Sequence, residues 1–153
     1  VFGVSMKDDR LKCPVENDYV QAIGLAAYTF ARLEWQVVWC MEKIKPESVH
    51  KVVDQEMTAG TIAKRFIDAT RNMPKTKDRE ALKALAQKFM ALVQVRNQIM
   101  HGKPCTSPDG KQRLTGESVI ELNTLEDAAG DFVECANKLN DMYYGFLSTY
   151  EAK

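Results

Sequence analysis

Residues 78–101 read DREALKALAQKFMALVQVRNQIMH. Leu82, Leu85, Phe89, Leu92, Val93 and Met100 recur every three or four positions, the spacing of an amphipathic helix. Pro74 bars the helix from starting much earlier, and Gly102 is a natural stop. With Arg96 set at zero and about 100° per residue, Phe89 falls at about 20°, Leu85 at about −20° and Leu92 at about −40°. Arg96 therefore lies in the middle of the apolar stripe. Asn97 and His101 fall at about 100° and about 140°, along one edge. Their i,i+4 spacing lets the two side chains touch. His101 also occupies the last turn, where the helix dipole favours a cation.

The same period recurs on either side. Ile23, Ala27, Phe30, Val37, Met41 and Ile44 predict a helix over residues 16–45, capped by Asn17 or Asp18 and closed before Pro46. Residues 48–55 read as a short helix. Thr58 or Thr61 caps a helix over residues 58–73 with Ile62, Phe66, Ile67 and Met73. Asn123 or Thr124 caps a last helix over residues 124–150. Its apolar face carries Leu125, Ala129, Phe132, Ala136, Leu139, Met142, Phe146 and Tyr150. Between residues 103 and 123 the pattern changes. SPDGK is a turn signal flanked by β-prone QRLT and SVIEL, so a small hairpin or irregular loop is inserted there. The expected fold is all-α. It is an antiparallel bundle of four to five helices forming one domain over residues 1–153, with the insertion before the last long helix.

Composition bounds the function. Apolar residues make up 45% and charged residues 27% of the chain, a balance suited to a globular rather than a disordered protein. No apolar run approaches the roughly 20 residues that cross a bilayer, so no membrane partner is expected. The N-terminal VFGVSMKDDRLKCP lacks the order of a secretory signal. Cys13, Cys40, Cys105 and Cys135 form no CxxC pair and read as reduced thiols of a cytoplasmic protein. Two histidines and no clustered carboxylate motif argue against a metal site, and no cofactor motif is present. Residues 64–113 carry twelve Lys/Arg against four Asp/Glu, and the remainder carries nine against seventeen. A basic middle suits a polyanion such as RNA, with Lys103, Lys111 and Arg113 as candidate contacts. Complementary charge between neighbouring helices or subunits would give the same pattern.

A guanidinium on an apolar stripe needs an acceptor, because it keeps its proton. In the first helix Phe30, Glu34, Val37 and Met41 share a stripe, so Glu34 is the expected partner of Arg96. Either the pair only fixes helix register, or it positions a reactive arginine. Arg and His facing one space suit RNA cleavage without a metal. Histidine does acid or base work near neutral pH, and arginine stabilises the phosphorane. One such His per chain favours a two-fold homodimer that brings two copies together, and the long helices offer apolar faces for it.

The segment Arg96-Asn97-Gln98-Ile99-Met100-His101 resembles the Rx4–6H motif of the HEPN superfamily in its R-polar-x3-H form. FARLEWQV, residues 30–37, is similar to the Phe-x-x-Leu-Glu segment of some HEPN first helices. The resemblance implies an α-helical bundle with Arg96 and His101 as the catalytic pair and Asn97 as their polar helper, and the stripe of the first helix adds Glu34 in support. It implies a metal-independent endoribonuclease, dimeric with a composite site, leaving 2′,3′-cyclic phosphate ends. The implied setting is prokaryotic defence, stress or toxin–antitoxin systems, with an antitoxin or regulatory protein as partner. A non-catalytic HEPN-like module binding a nucleotide, RNA or protein is the alternative. Toxins of this kind that are silenced by a nucleotidyltransferase commonly carry Tyr two residues after the His. Here that position is Lys103, which argues against that form of control. The loop over residues 103–123 follows His101 directly and is the expected lid or specificity element.

Overall fold

The computed structural model describes residues 12–153, so most of the N-terminal stretch weighed as a signal lies outside the described residues. Five α-helices and a small sheet follow in order: α1 (Asn17–Ile44), α2 (Ser48–Asp54), α3 (Ala59–Arg71), α4 (Lys77–Met100), β1 (Lys103–Thr106), β2 (Gln112–Thr115), β3 (Val119–Ile120) and α5 (Leu122–Tyr144). A 3-10 turn, Phe146–Thr149, closes the chain path. The fold is a helical bundle with a small insertion, as the periodicity requires.

The stripes make the core. Phe30 stacks against Phe89 at 6.0 Å and meets Phe132 edge-on at 5.2 Å, joining α1, α4 and α5. Leu33, Val37, Phe66, Leu82, Leu125 and Leu139 are fully buried around them. Burying side chains of this size contributes about 1.5–3 kcal/mol each. Two expected core positions are instead exposed, Ala27 and Met100, while Ile99 is buried. The buried stripe of α4 thus shifts by one position at its last turn.

The bundle is not antiparallel throughout. Tyr19 meets Ile120, Phe30 meets Phe132 and Cys40 meets Leu139, so α1 and α5 run parallel. Helix α4 runs against both. It begins beside the end of α1 and finishes near Phe30. The insertion starts α5 at the end of the bundle where α1 also starts.

Thr58 caps α3 by accepting from the Thr61 amide at 3.3 Å, and Thr76 caps α4 by accepting from Arg79 at 3.1 Å. Helices α1 and α5 depart from expectation. Their N-caps are Glu16 and Glu121 without a side-chain cap bond, rather than Asn17, Asp18, Asn123 or Thr124. The first turn of α2 is served from outside. Glu42 of α1 accepts from the amides of Glu47 at 3.1 Å and Val49 at 2.9 Å, and Glu47 holds a left-handed φ of 75° at this corner.

The insertion is a three-stranded antiparallel meander in the order β1-β2-β3. Lys103 pairs with Thr115 and Thr106 with Gln112. Its tip folds on Asp109, which accepts from the Ser107 hydroxyl and from the Lys111 amide. Gly110 supplies the φ of 85° that the turn demands. The sheet is pinned to α1 by Tyr19. The buried hydroxyl donates to the Ile120 carbonyl at 2.8 Å and accepts from the Leu114 amide at 2.9 Å. Gly102 joins α4 to β1, and a Cβ there would lie 3.0 Å from that of Leu114 and 3.1 Å from the Ile99 carbonyl.

Candidate functional site

Helix α4 delivers Arg96, Asn97 and His101 at its last two turns. Arg96 is half-buried, with its guanidinium 4.8 Å above the Phe30 ring. Its Nε is buried and lacks a hydrogen-bond partner. The expected ion pair with Glu34 does not form. Glu34 is half-buried, and burial raises its carboxyl above the usual range while the charge of Arg96 pulls the other way. The two groups thus share a field without touching. The ring face of Phe30 is the contact that orients the arginine, a cation–π arrangement worth about 0.5–2 kcal/mol. A planar cation held over a ring, with no protein acceptor engaging it, is suited to receive an oxyanion from outside the chain.

Asn97 is half-buried, and its backbone carbonyl accepts the ordinary helical bond from the His101 backbone amide at 2.9 Å. His101 ends the helix as its C-cap with an exposed imidazole, which makes no hydrogen bond or ion pair among the described residues. Arg96 and His101 thus share the end of α4, about 1.4 turns and about 140° apart around the helix. None of the three cavities described below is lined by Arg96, Asn97 or His101. The other histidine, His50, is on α2 and pairs with Asp54 at 2.9 Å.

The candidate RNA contacts divide. Lys103 on β1 and Lys111 at the hairpin tip are exposed. Arg113 is a correction. It is 6% exposed, lies 4.5 Å over the Tyr19 ring and reaches Glu16 at 3.3 Å and Glu121 at 3.8 Å. It fastens the sheet to the bundle and offers nothing to a polyanion. Arg79 is likewise buried and holds the α3–α4 corner. The basic middle segment thus includes two cations that serve packing. Another, Lys88, lies close enough to lower the Glu134 carboxyl of α5, after the larger effect of Lys138.

Beside Arg96 runs a surface that the sequence did not single out. Beyond Phe30 and Glu34, the next strip of α1 carries Ala27, Tyr28, Ala31, Trp35 and Trp39, all exposed. Tyr28 is 73%, Trp35 42% and Trp39 47% exposed. Arg32, which donates to Asn137 of α5 at 3.1 Å, borders this face, and three exposed aromatic rings over three turns are uncommon on a monomer's surface. Both tryptophans lie one step off the buried stripe at helical spacing, which is the signal that could have marked them.

Among the described residues, no three His, Cys, Asp or Glu side chains converge as a metal site, and no helix is long and apolar enough to cross a membrane. The cysteines are free. Cys13 is exposed and Cys105 half-buried, whereas burial pushes the Cys40 thiol up to about 12 and the Cys135 thiol up to about 11. No family model, curated protein or solved structure matches this chain.

Proposed function

We propose that the protein is a metal-independent endoribonuclease of HEPN type that acts as a homodimer. The observation that carries this reading is Arg96, held over the Phe30 ring without a protein acceptor among the described residues, at the same end of α4 as the unengaged imidazole of His101. A phosphodiester would supply the missing acceptor. One His101 would take the proton from the ribose 2′-hydroxyl, and that oxygen would attack phosphorus. Arg96 would stabilise the charged phosphorane. The His101 of a second copy would protonate the departing 5′-oxygen, leaving a 2′,3′-cyclic phosphate. Asn97 would position His101, and Glu34 would tune the field at Arg96. The exposed face of Tyr28, Trp35 and Trp39 is the surface on which a second copy would bury itself. Lys103 and Lys111 would meet the RNA backbone. A setting in prokaryotic defence or stress, a cytoplasmic location and a silencing antitoxin belong to the same reading.

The second reading is a non-catalytic module of the same type that binds a nucleotide, RNA or a protein. It is favoured by the position of His101 outside the three cavities named for the single chain. Incubating a mixed-sequence RNA with the protein in EDTA separates the two. Cleavage with cyclic-phosphate ends, lost in His101→Ala, supports the ribonuclease. A folded dimeric wild type that leaves several RNAs intact supports the module.

A further inference from the structure

The end of the bundle away from Arg96 holds a cavity of about 630 Å³ between the end of α1, helices α2 and α3, and Tyr150. Met41 lines it, eleven residues past Phe30, which is about 16 Å further along α1. Two other surface cavities have similar volumes, about 570 and 630 Å³, but acids outnumber bases on their walls. The first cavity differs in two ways. Its floor is apolar and adaptable, with Met41, Met57 and Met73 beside Ile44 and Val52. Its rim is cationic, with Lys45, Lys51 and Arg65 exposed at the mouth. The acid on the rim, Asp68, is already paired with Arg71 at 3.3 Å. None of the three rim cations is in an ion pair among the described residues.

The walls are held in place independently of any occupant. Glu42 clamps the α1–α2 corner through the Glu47 and Val49 amides. Arg79 clamps the α3–α4 corner by donating to the carbonyls of Thr70 at 3.0 Å and Arg71 at 2.9 Å. A preformed concave site with an apolar floor and a few charged groups of one sign is the usual form of a small-molecule site.

We propose that this cavity binds a small anionic amphiphile, with its apolar body on the methionine floor and its anionic head among Lys45, Lys51 and Arg65. The chemistry is shared by an acyl carboxylate and by a nucleoside phosphate. It does not depend on the ribonuclease reading, because no residue is common to the two sites.

The test uses anilinonaphthalene sulfonate, an aromatic body with one anionic group, titrated into the folded chain and read by fluorescence. Saturable single-site binding is expected. Lys51→Ala with Arg65→Ala should raise Kd at least about tenfold. Met57→Trp should block binding by filling the floor with the charges intact. Lys64→Ala, on α3 outside the cavity, should leave Kd unchanged. Circular dichroism and urea midpoints establish that each variant is folded. Displacement by decanoate assigns the acyl class, and displacement by adenosine monophosphate assigns the phosphate class. Displacement by neither, or binding that the folded Lys51/Arg65 and Met57 variants leave unchanged, overturns the proposal.

Discussion

Helix α4 carries an arginine near each end, and the two live in opposite circumstances. Arg79 is 6% exposed and fully engaged. It donates to the carbonyls of Thr70 and Arg71 and pairs with Glu80. Arg96 is half-buried, rests on an aromatic face and leaves a buried Nε without a partner. Arg79 satisfies orphan carbonyls at the end of α3, so its charge is consumed by the fold. Arg96 is oriented by the fold, yet its charge is not neutralised there. A buried cation with each of its nitrogens bonded to the protein is architecture. Arg113 also leaves a buried Nε unmatched over a ring, but Glu16 and Glu121 neutralise it, whereas Arg96 has no carboxylate within ion-pair distance among the described residues.

The sharpest way to break this comparison is to exchange the two losses. In the proposed ribonuclease, Arg96→Ala and His101→Ala should each slow RNA cleavage by about a thousandfold. Folded Arg79→Ala protein, assayed well below its melting point, should retain most of the activity. Equal losses would place both arginines in the same class.

Stability should show the reverse order. Arg79→Ala leaves the Arg71 carbonyl without its guanidinium donor and the Thr70 carbonyl with the Met73 amide at 3.3 Å, and is expected to lower the unfolding free energy by about 3 kcal/mol in urea titrations. Arg96→Ala removes a cation–π contact but also an unsatisfied buried donor. It should change stability by less than about 1 kcal/mol.

Much of this difference was hidden from the sequence. Helical spacing put Arg96 on a buried stripe correctly, because the stripe is a property of one helix. Arg79 was not singled out, because its acceptors are backbone carbonyls of another helix, which no side-chain pattern reports. Arg113 looked like a loop cation facing solvent. Its burial depends on Tyr19, which continues the Ile23–Phe30 stripe by one turn and sits more than ninety residues away. Strand β1 escaped notice because Lys103-Pro104-Cys105-Thr106 has little strand propensity and is held by its partner strand. The parallel run of α1 and α5 was equally invisible, since short connections favour antiparallel neighbours and the sheet supplies the exception.

The aromatic face of α1 gives a further test of whether Arg96 acts alone. Trp35→Glu with Trp39→Glu should convert the proposed dimer to a monomer in light scattering, with little effect on folding, because both side chains are exposed. Loss of cleavage together with loss of the dimer would tie Arg96 to a second copy. An active monomer would separate them.

The smallest effect concerns Glu34. Burial raises its carboxyl in the folded chain, and Arg96 only partly offsets that. Between the unfolded and the raised folded value, the native state binds more protons. Stability therefore falls as pH rises through that window, and the cost persists above it. Glu34→Gln should flatten this dependence and leave the protein slightly more stable at neutral pH. In Arg96→Ala the Glu34 dependence should become steeper and extend to higher pH. Urea midpoints across the acid range would check both outcomes.

The parallel pairing of α1 with α5 also bears on how the chain is made. Cys40 meets the Leu139 carbonyl across ninety-nine residues, and Tyr19 waits on Ile120 across one hundred and one. During synthesis the apolar stripe of α1 leaves the ribosome long before the surface that covers it. Contacts of such separation slow folding and leave sticky intermediates. For this protein, the vulnerable interval is the translation of the stretch between α1 and α5, when Phe30, Leu33 and Val37 have only temporary shelter.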